Sequence, residues 1–389
     1  MAKVYLFKNK EKRVLYGHPW IFRSDIEKVE GSYECGDIVD VHSYKGKFLA
    51  RGYYNPKSQI AVRILTLQQE EINADFFYKR IANAWQYRKL VADANSCRVV
   101  FAESDFLPAL IVDKFSEYLV IQTLALGIDR YKYLLVEILD EIIKPRGIYE
   151  RNDVPVRELE GLDQRKGYLK GHFDTNILMI ENGIKFMVDI ENGQKTGFFL
   201  DQKENRAAIK PFVKNAKVLD CFSHTGSFAL HAAHYGASSV LGIDISEHAA
   251  NCAAKNAQLN NYENICRFET ANTFDVLRKY YEEKNIFDVI ILDPPAFTKS
   301  RETVDGAIRG YKEINLRAMK IIKPGGFLIT CSCSHHIDSE MFMDIIYNAA
   351  IDARKNARVI ECRSQAKDHP VLLASEETEY LKCIILQIC

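Results

Sequence analysis

The sequence predicts an α/β protein: a doubly wound, Rossmann-like domain in the C-terminal half, preceded by a β-rich segment and a small α+β segment. Two observations carry this prediction. After about residue 195, apolar strands alternate with helical segments, the pattern of a parallel sheet covered by helices. Within that part, residues 217–246 have the pattern of strand, tight turn, helix and strand, and an acid ends each strand, Asp220 and Asp244.

Composition limits the class of protein. The chain has 389 residues, of which 47% are hydrophobic and 27% charged, as in ordinary globular proteins with two or three domains. It contains no apolar run of about 18 residues and no apolar leader at its start, so we expect a cytoplasmic protein without a membrane span. The ten cysteines have no repeating spacing, and we expect free thiols.

The N-terminal 70 residues predict a small β-barrel. Their turn residues, such as Gly31 and Gly36, separate short strands at 3–6, 37–41, 48–50 and 60–65. The run Gly17-His18-Pro19-Trp20-Ile21-Phe22 and the ending 58–65 resemble a PUA module, a compact RNA-binding barrel. Net charge of the whole chain is zero, but these residues carry 12 Lys and Arg against 8 Asp and Glu, which is compatible with phosphate contact and equally with a solvated face.

The next segment predicts a linker helix and a small α+β domain. Apolar residues recur at helical spacing over 73–90, with Phe76, Phe77 and Ile81 on one face. Around a helix at 129–143 we expect strands near 99–102, 109–124, 146–150, 177–180 and 184–190. The predicted domains are therefore 1–70, 71–190 and 191–389.

The C-terminal domain contains five short apolar segments typical of buried parallel strands. They lie at 218–220, 240–244, 267–269, 289–293 and 327–330. Helices are predicted between them at 225–235, 247–259, 272–284 and 309–322, with Pro324-Gly325-Gly326 as the turn before the fifth strand. A further helix and two strands are expected in the tail after 341.

The residues that follow the predicted strands indicate which class of cofactor the domain binds. The first turn has only Gly226 where dinucleotide binders have G-x-G-x-x-G, so a bound pyrophosphate is disfavoured. Asp244 is placed to accept hydrogen bonds from a ribose diol, and Asn272 closes the third strand near the backbone of Phe274. A cofactor with a ribose but no phosphate fits, and S-adenosylmethionine (SAM) is such a molecule. A doubly wound domain with an unrelated ligand remains the alternative.

Asp293-Pro294-Pro295-Ala296-Phe297 follows the fourth strand. Two prolines stiffen the loop and provide no N–H, so its carbonyl groups are exposed to a ligand. Methyltransferases that act on exocyclic amines carry an Asp/Asn-Pro-Pro-aromatic motif, in which the aromatic stacks on a flipped base. Here Ala296 takes the place of that aromatic and Phe297 follows one residue later, which argues against an amine substrate.

Cysteines follow the fifth strand, in Cys331-Ser332-Cys333-Ser334-His335. C5 of a pyrimidine becomes nucleophilic only after a thiolate adds to C6, and Cys333 is placed for that role. Residues 331, 333 and 335 would share one face of an extended segment, so a metal cluster is an alternative, although the C-x-x-C spacing is absent. Packing cysteines without chemistry are the other alternative.

Several runs together resemble bacterial PUA-containing methyltransferases that make 5-methylcytosine in large-subunit rRNA. The matching runs are 193–202, Asn205-Arg206, 220–226, 293–297, 309–315, 331–334, 368–371 and 380–382. The resemblance implies a PUA barrel, a small central domain of the EEHEE type and a Rossmann-like domain. It also implies SAM as cofactor, rRNA as partner, no metal and a homodimer.

The resemblance assigns roles to particular residues. It makes Cys333 the nucleophile and gives Cys331 a packing role. In the mechanism we expect for methylation at cytosine C5, Asp293 is the second catalytic residue and holds the protonated N3 side of the ring. The implied cofactor-binding residues are Phe198, Gln202, Arg206, Asp220, Phe222, Gly226, Asp244, Ile245, Asn272 and Phe274. Two rivals stay open: a methyltransferase acting on guanine or an exocyclic amine without a thiolate, and a non-enzymatic RNA-binding assembly factor.

Overall fold

The computed structural model describes residues 1–298 and 300–389, which form two compact units. The first unit consists of Met1–Met179, Val188–Leu200 and Lys367–Thr378. The second consists of Ile180–Met187, Asp201–Ala366 and Glu379–Cys389. Over the described residues, every helix is too short or too polar to cross a lipid bilayer.

The first unit begins with a six-stranded sheet in the order β2-β6-β5-β4-β1-β3. Its strands are β1 (Lys3–Leu6), β2 (Trp20–Phe22), β3 (Ile26–Glu30), β4 (Ile38–His42), β5 (Phe48–Tyr54) and β6 (Ile60–Thr66), with helix α1 at Glu11–Leu15. All six strands contribute side chains to one apolar core, which includes Val4, Val41 and Val62. The sheet therefore curls around its own interior, as the predicted barrel requires.

A second sheet of the first unit has five strands in the order β11-β10-β9-β8-β7. The elements are α2 (Ala74–Val91), β7 (Ser96–Phe101), β8 (Leu110–Phe115), β9 (Tyr118–Thr123), α3 (Leu126–Asp129), α4 (Lys132–Ile143), β10 (Gly147–Asn152) and β11 (Arg165–Lys170). Helix α2 begins where the Asn73 side chain accepts a hydrogen bond from the backbone N–H of Phe76, and its apolar face packs on the sheet. The predicted linker helix is thus part of this core.

Two details of this region differ from the prediction. The run predicted as one strand at 109–124 forms β8 and β9, because Ser116 adopts a left-handed conformation (φ 55°) and reverses the chain. The strands predicted at 177–180 and 184–190 exist as β12 (Asn176–Glu181) and β13 (Ile184–Asp189), but they form a separate pair. The fifth position of the sheet is taken by β11, whose half-exposed sequence Arg-Lys-Gly-Tyr-Leu-Lys lacks an apolar alternation.

The second unit contains a seven-stranded sheet in the order β16-β15-β14-β17-β18-β20-β19. Its strands are β14 (Lys217–Cys221), β15 (Ser239–Asp244), β16 (Cys266–Thr270), β17 (Phe287–Leu292), β18 (Ile322–Ser332), β19 (Ala357–Arg363) and β20 (Lys382–Ile388). The first five run parallel, and β20 pairs antiparallel with both β18 and β19. All five predicted parallel strands are present. The expected turn at 324–326 instead lies inside β18 as an irregular start of that strand.

Helices of the second unit precede, connect and follow the parallel strands of this sheet. They are α5 (Lys203–Ala208), α6 (Ser227–His234), α7 (Glu247–Leu259), α8 (Thr273–Glu282), α9 (Val304–Ile321) and α10 (Ser339–Ala353). Side chains of Ser246, Asn272 and Asp338 cap α7, α8 and α10 by accepting a backbone N–H in the first turn. The strand order reverses between β14 and β17, so the ligand crevice of a doubly wound sheet is expected at their carboxyl ends.

Candidate active site

A tight turn after β14 forms the floor of the crevice. Phe222, His224 and Gly226 all have positive φ, at 63°, 50° and 82°. A Cβ at Gly226 would lie 3.0 Å from the Cβ of Ala253 and the ring of Phe268, so glycine is required here for space as well as for conformation. The turn thereby brings the start of α6 close to β15 and β16.

Asp244 fixes this turn from the end of β15. Its Oδ2 accepts the backbone N–H of His224 at 2.8 Å, and its Oδ1 accepts the N–H of Ser246 at 2.9 Å. Each carboxylate oxygen can accept more than one hydrogen bond, and the side chain is half-buried, so Asp244 retains acceptor capacity toward the crevice. This arrangement suits a pair of vicinal hydroxyl groups.

Asp220 lies fully buried at the end of β14. Its Oδ2 accepts the backbone N–H of Ala229, in the first turn of α6, at 2.9 Å. Burial, and then the charge of Asp293, raise the pKa of Asp220 well above its usual value. Because this carboxyl group already occupies the amino end of α6, a pyrophosphate there would meet an acid, which agrees with the absence of a dinucleotide-type glycine loop.

Two buried polar atoms beside the turn have no hydrogen-bond partner in the part of the chain that the structure describes. They are Asp220 Oδ1 and Ser223 Oγ. Buried polar atoms are ordinarily satisfied, and a ligand with polar groups bound at this turn would satisfy these two. Ser223 lies inside the run 220–226 but was not among the predicted site residues.

The side of the crevice at Asn272 and Ile245 is more exposed than the turn after β14. Asn272 accepts the backbone N–H of Phe274 at 2.9 Å and so acts as the N-cap of α8. Ile245 is 73% exposed. Phe274 and Phe222 both lie against the ring of Phe297, with centroid distances of 6.0 and 6.3 Å. The structure therefore brings Phe222 and Phe274 to one aromatic cluster, and cofactor contacts of these four residues stay a prediction.

Phe297, the displaced aromatic of the Asp-Pro-Pro loop, packs inward. Its ring centroid lies 4.5 Å from that of Tyr311, a fully buried residue of α9. A ring held against protein on this side is a poorer stacking platform for a substrate base. This packing is consistent with the argument from sequence against an exocyclic amine substrate.

Gln202 and Asp293 are joined directly. The buried Gln202 side chain donates from Nε2 to Asp293 Oδ1 at 2.8 Å, and Asn205 in turn donates to Gln202 Oε1 at 2.7 Å. The backbone N–H of Asp293 points to the carbonyl oxygen of Cys221 at 3.4 Å, across the point where the strand order reverses. These contacts orient one carboxylate oxygen of Asp293 and place the residue at the crevice.

Arg206 and Phe198 are two further residues predicted at the cofactor. Arg206 is 1% exposed and forms a two-point ion pair with the buried Glu181, at 2.6 and 2.9 Å. Phe198 is buried and belongs to the first unit. Arg206 thus has a structural partner, and direct roles of both residues at the cofactor stay a prediction.

Glu181→Ala is expected to destabilise the protein by about 3–5 kcal/mol, because it leaves the buried guanidinium of Arg206 without its carboxylate. The measurement is the free energy of unfolding from denaturant titration. Glu30→Ala, which removes the exposed partner of Lys28 (2.6 Å), is the matched control and should leave the unfolding midpoint unchanged. An equally stable Glu181→Ala protein would contradict the structural role.

Cys333 lies just beyond the end of β18, half-buried. Its Sγ donates to the carbonyl oxygen of Pro294 at 3.9 Å. The sulfur therefore lies against the Asp-Pro-Pro loop at the carboxyl edge of the sheet. Cys331, by contrast, is fully buried opposite Cys383 in the antiparallel ladder, and burial raises the pKa of its thiol well above the usual range. Its thiol interacts with Cys383 and with Gln202, and its packing role stays a prediction.

The described residues contain no group of three or more His, Cys, Asp or Glu side chains arranged to hold a metal ion. In particular, Cys331 and Cys333 have different environments: the first faces β20 and the second faces Pro294.

Family models match most of the chain. Residues 4–67 match a PUA-like domain, and residues 162–366 match an S-adenosylmethionine-dependent methyltransferase. The second match covers more than half of the 389 residues. The chain therefore belongs to the SAM-dependent methyltransferases, with a PUA-like domain at its N-terminal end.

Whole-chain relatives define the family more narrowly. The chain is 44% identical over 386 residues to ribosomal RNA large subunit methyltransferase I of Vibrio cholerae, covering 97% of each protein. It is 42% identical over 391 residues to the protein of the same name from Tolumonas auensis, covering 99% of this chain and 98% of that one. It belongs to the family of ribosomal RNA large subunit methyltransferase I.

Solved structures show the same fold along the entire chain. A SAM-dependent methyltransferase from Streptococcus mutans superimposes with a TM-score of 0.84 at 19% identity, covering 100% of both chains. A methyltransferase solved in complex with SAH gives a TM-score of 0.85, also at 19% identity and full coverage. At this identity the likeness establishes the fold, a PUA-like domain followed by a Rossmann-like methyltransferase domain.

The cofactor of this family is SAM, and the residues present fit it. Asp244 offers oxygen acceptors to a ribose diol, and the orphaned Asp220 Oδ1 and Ser223 Oγ offer polar contacts at the turn. The amino end of α6 is occupied by a carboxyl group, as suits a cofactor without phosphate. The predictions of fold class and cofactor from sequence are confirmed.

Proposed function

We propose that this protein methylates C5 of a cytosine in large-subunit ribosomal RNA, through a covalent adduct between Cys333 and C6 of the base. The relatives' names support an rRNA of the large subunit as the substrate. The choice of C5 as the methylated atom is supported by the half-buried thiol at the carboxyl edge of the sheet. We expect RNA to bind through the PUA-like domain; a homodimer remains a prediction from the resemblance.

SAM supplies an electrophilic methyl group on a sulfonium. The chain's part is to hold the donor, for which we propose Asp244 at the ribose and Asp220 and Ser223 at the turn after β14. Phe222, Gly226, Ile245, Asn272 and Phe274 complete the proposed cofactor set, with Phe198, Gln202 and Arg206 from the preceding segment. A target base must leave its stack to reach this crevice.

The proposed reaction begins when the Cys333 thiolate adds to C6 of cytosine. Electron density moves into the ring, and Asp293 in its carboxylic acid form gives a proton to N3 and holds the N3–H, so that no net negative charge develops on the base. C5 then takes the methyl group and becomes tetrahedral. A water molecule takes the C5 proton, which restores the C5–C6 double bond and expels the thiolate, and N3 returns its proton to Asp293, so Cys333 and Asp293 end in the forms in which they began.

One observation carries this proposal: the Sγ of Cys333 lies 3.9 Å from the carbonyl oxygen of Pro294, the residue after Asp293. Nucleophile and proposed carboxylate partner therefore lie on adjacent loops, which follow the neighbouring strands β18 and β17. A thiol is needed for addition at C6 and has no use in methylation of guanine N7 or of an amine.

Nucleoside analysis of the product tests the proposal. Purified protein, labelled SAM and large-subunit rRNA from cells that lack the protein should yield labelled 5-methylcytidine after digestion to nucleosides. Labelled 7-methylguanosine or an N-methylated nucleoside would support the rival without a thiolate. Absence of SAM binding in a calorimetric titration would support the non-enzymatic assembly factor instead.

A further inference from the structure

A buried lysine lies next to the proposed nucleophile. Lys382 is the first residue of β20 and is 6% exposed. Its Nζ donates to the carbonyl oxygen of Ser334 at 2.8 Å and to that of Tyr380 at 2.9 Å. The antiparallel ladder sets Lys382 directly opposite Ser332. The amino group is therefore fixed at the carbonyl of the residue after Cys333, while the Lys382 backbone lies opposite the residue before it.

The lysine and the cysteine interact electrostatically. Burial lowers the pKa of Lys382 to about 8, and the Cys333 side chain acts in the opposite direction and favours the charged amine. By reciprocity, a protonated Lys382 favours the thiolate form of Cys333. Two of the lysine's hydrogen-bonding sites are held by backbone carbonyls, so its position does not depend on a bound substrate.

Other titratable groups surround this pair. Tyr311 of α9 shares a hydrogen bond with the Ser334 hydroxyl at 2.9 Å, and burial raises the pKa of the phenol, so it is neutral near pH 7. Asp338 and Glu379 act on Lys382 and favour its ammonium form. Asp293 acts on the neighbouring Cys331 and opposes negative charge on that sulfur. Lys382 is thus a cation that interacts with Cys333 and is also hydrogen-bonded to the backbone carbonyl of the next residue, Ser334.

We propose that the ammonium group of Lys382 activates Cys333 by holding its thiolate form as an ion pair. This inference rests on the proposed function, in which Cys333 is the nucleophile. The thiol proton leaves to solvent, and the thiolate that remains is held beside the ammonium group. Lys382 acts through Cys333 and contacts no reacting atom of the base, so it is a positioning residue.

The test is the pH dependence of cysteine alkylation in the full-length protein without RNA. Iodoacetamide is added at a series of pH values, and the rate at each cysteine is read by peptide mass spectrometry. In the wild-type protein we expect half-maximal reactivity of Cys333 at a lower pH than that of the exposed Cys362 and Cys389. Lys382→Met should raise the midpoint for Cys333 by about one pH unit or more, and Lys382→Arg should restore most of the shift.

Cys362 and Cys389 are internal controls, whose midpoints should be the same in all three proteins. A Cys333 midpoint at or above those controls in the wild-type protein would overturn the inference, and this arm needs no substitution. An unchanged midpoint in a Lys382→Met protein that binds SAM normally would overturn it too. The alkylation test needs neither RNA nor turnover, so it is independent of the nucleoside analysis. A shifted midpoint for Cys333 together with a product other than 5-methylcytidine would refute the proposed function but leave the pairing of Lys382 with Cys333 intact.

Discussion

Cys333→Ala is expected to abolish methyl transfer while SAM binding stays within about twofold of the wild-type affinity. Without a thiolate at C6, C5 of cytosine is a poor nucleophile, and loss of a covalent nucleophile commonly costs on the order of 10⁴-fold or more in turnover. Asp244 and Asp220, which we propose to hold the donor, belong to other loops and keep their bonds to the backbone N–H groups of His224 and Ala229. Rates are measured by transfer of labelled methyl groups to rRNA, and affinity by calorimetry.

The matched control for that substitution is Cys362→Ala. Cys362 is exposed on β19 and should be replaceable without loss of rate. Turnover by Cys333→Ala above about a tenth of the wild-type rate would show that the reaction proceeds without an adduct at this residue. The protein would still be a SAM-dependent methyltransferase, but the methylated atom of the substrate would be one other than C5.

Asp244→Ala is expected to weaken SAM binding by about 100-fold or more. If the carboxylate accepts both ribose hydroxyls, two charge-assisted hydrogen bonds are lost, each contributing about 1.5–3 kcal/mol. The substitution also removes the acceptor for the backbone N–H of His224, so the turn after β14 loses its attachment to β15. Calorimetric titration with SAM measures the change directly.

Ser246→Ala is the matched control in the same loop. It removes the N-cap of α7, one residue beyond the donor edge, and should lower stability by about 1 kcal/mol with little effect on affinity for SAM. If Asp244→Ala binds SAM within about threefold of the wild-type affinity, the assignment of Asp244 to the ribose is wrong.

Much of the second unit could be predicted from the sequence because its strands are buried on both faces. The run Phe-Asp-Val-Ile-Ile-Leu of β17 has almost no polar interruption, and a stretch of this kind between helical segments has few other structures available. The location of Asp220 and Asp244 at one edge of the sheet could be predicted too, because the carboxyl ends of parallel strands share that edge. Half-exposed strands such as β11 lack that signal.

Contacts between distant parts of the chain could not be predicted. The ion pair of Arg206 with Glu181 joins a helix to a strand 25 positions earlier, and no local pattern identifies it. Lys382 stands 49 positions after Cys333, and only the pairing of β18 with β20 brings them together. Tyr380-Leu381-Lys382 was a signal in the resemblance, but the sequence gives no reason why a lysine should begin an otherwise apolar strand.

The most direct test of the central claim is to trap the adduct with rRNA that contains 5-fluorocytidine. Fluorine at C5 cannot leave as a proton does, so after methyl transfer the bond between sulfur and C6 should persist. We predict a covalent protein–RNA complex that requires SAM, is absent in Cys333→Ala, and yields on digestion a modified peptide with the nucleotide on Cys333. Methylated cytosine in natural rRNA without any trapped complex, or a complex located on another residue, would contradict the account.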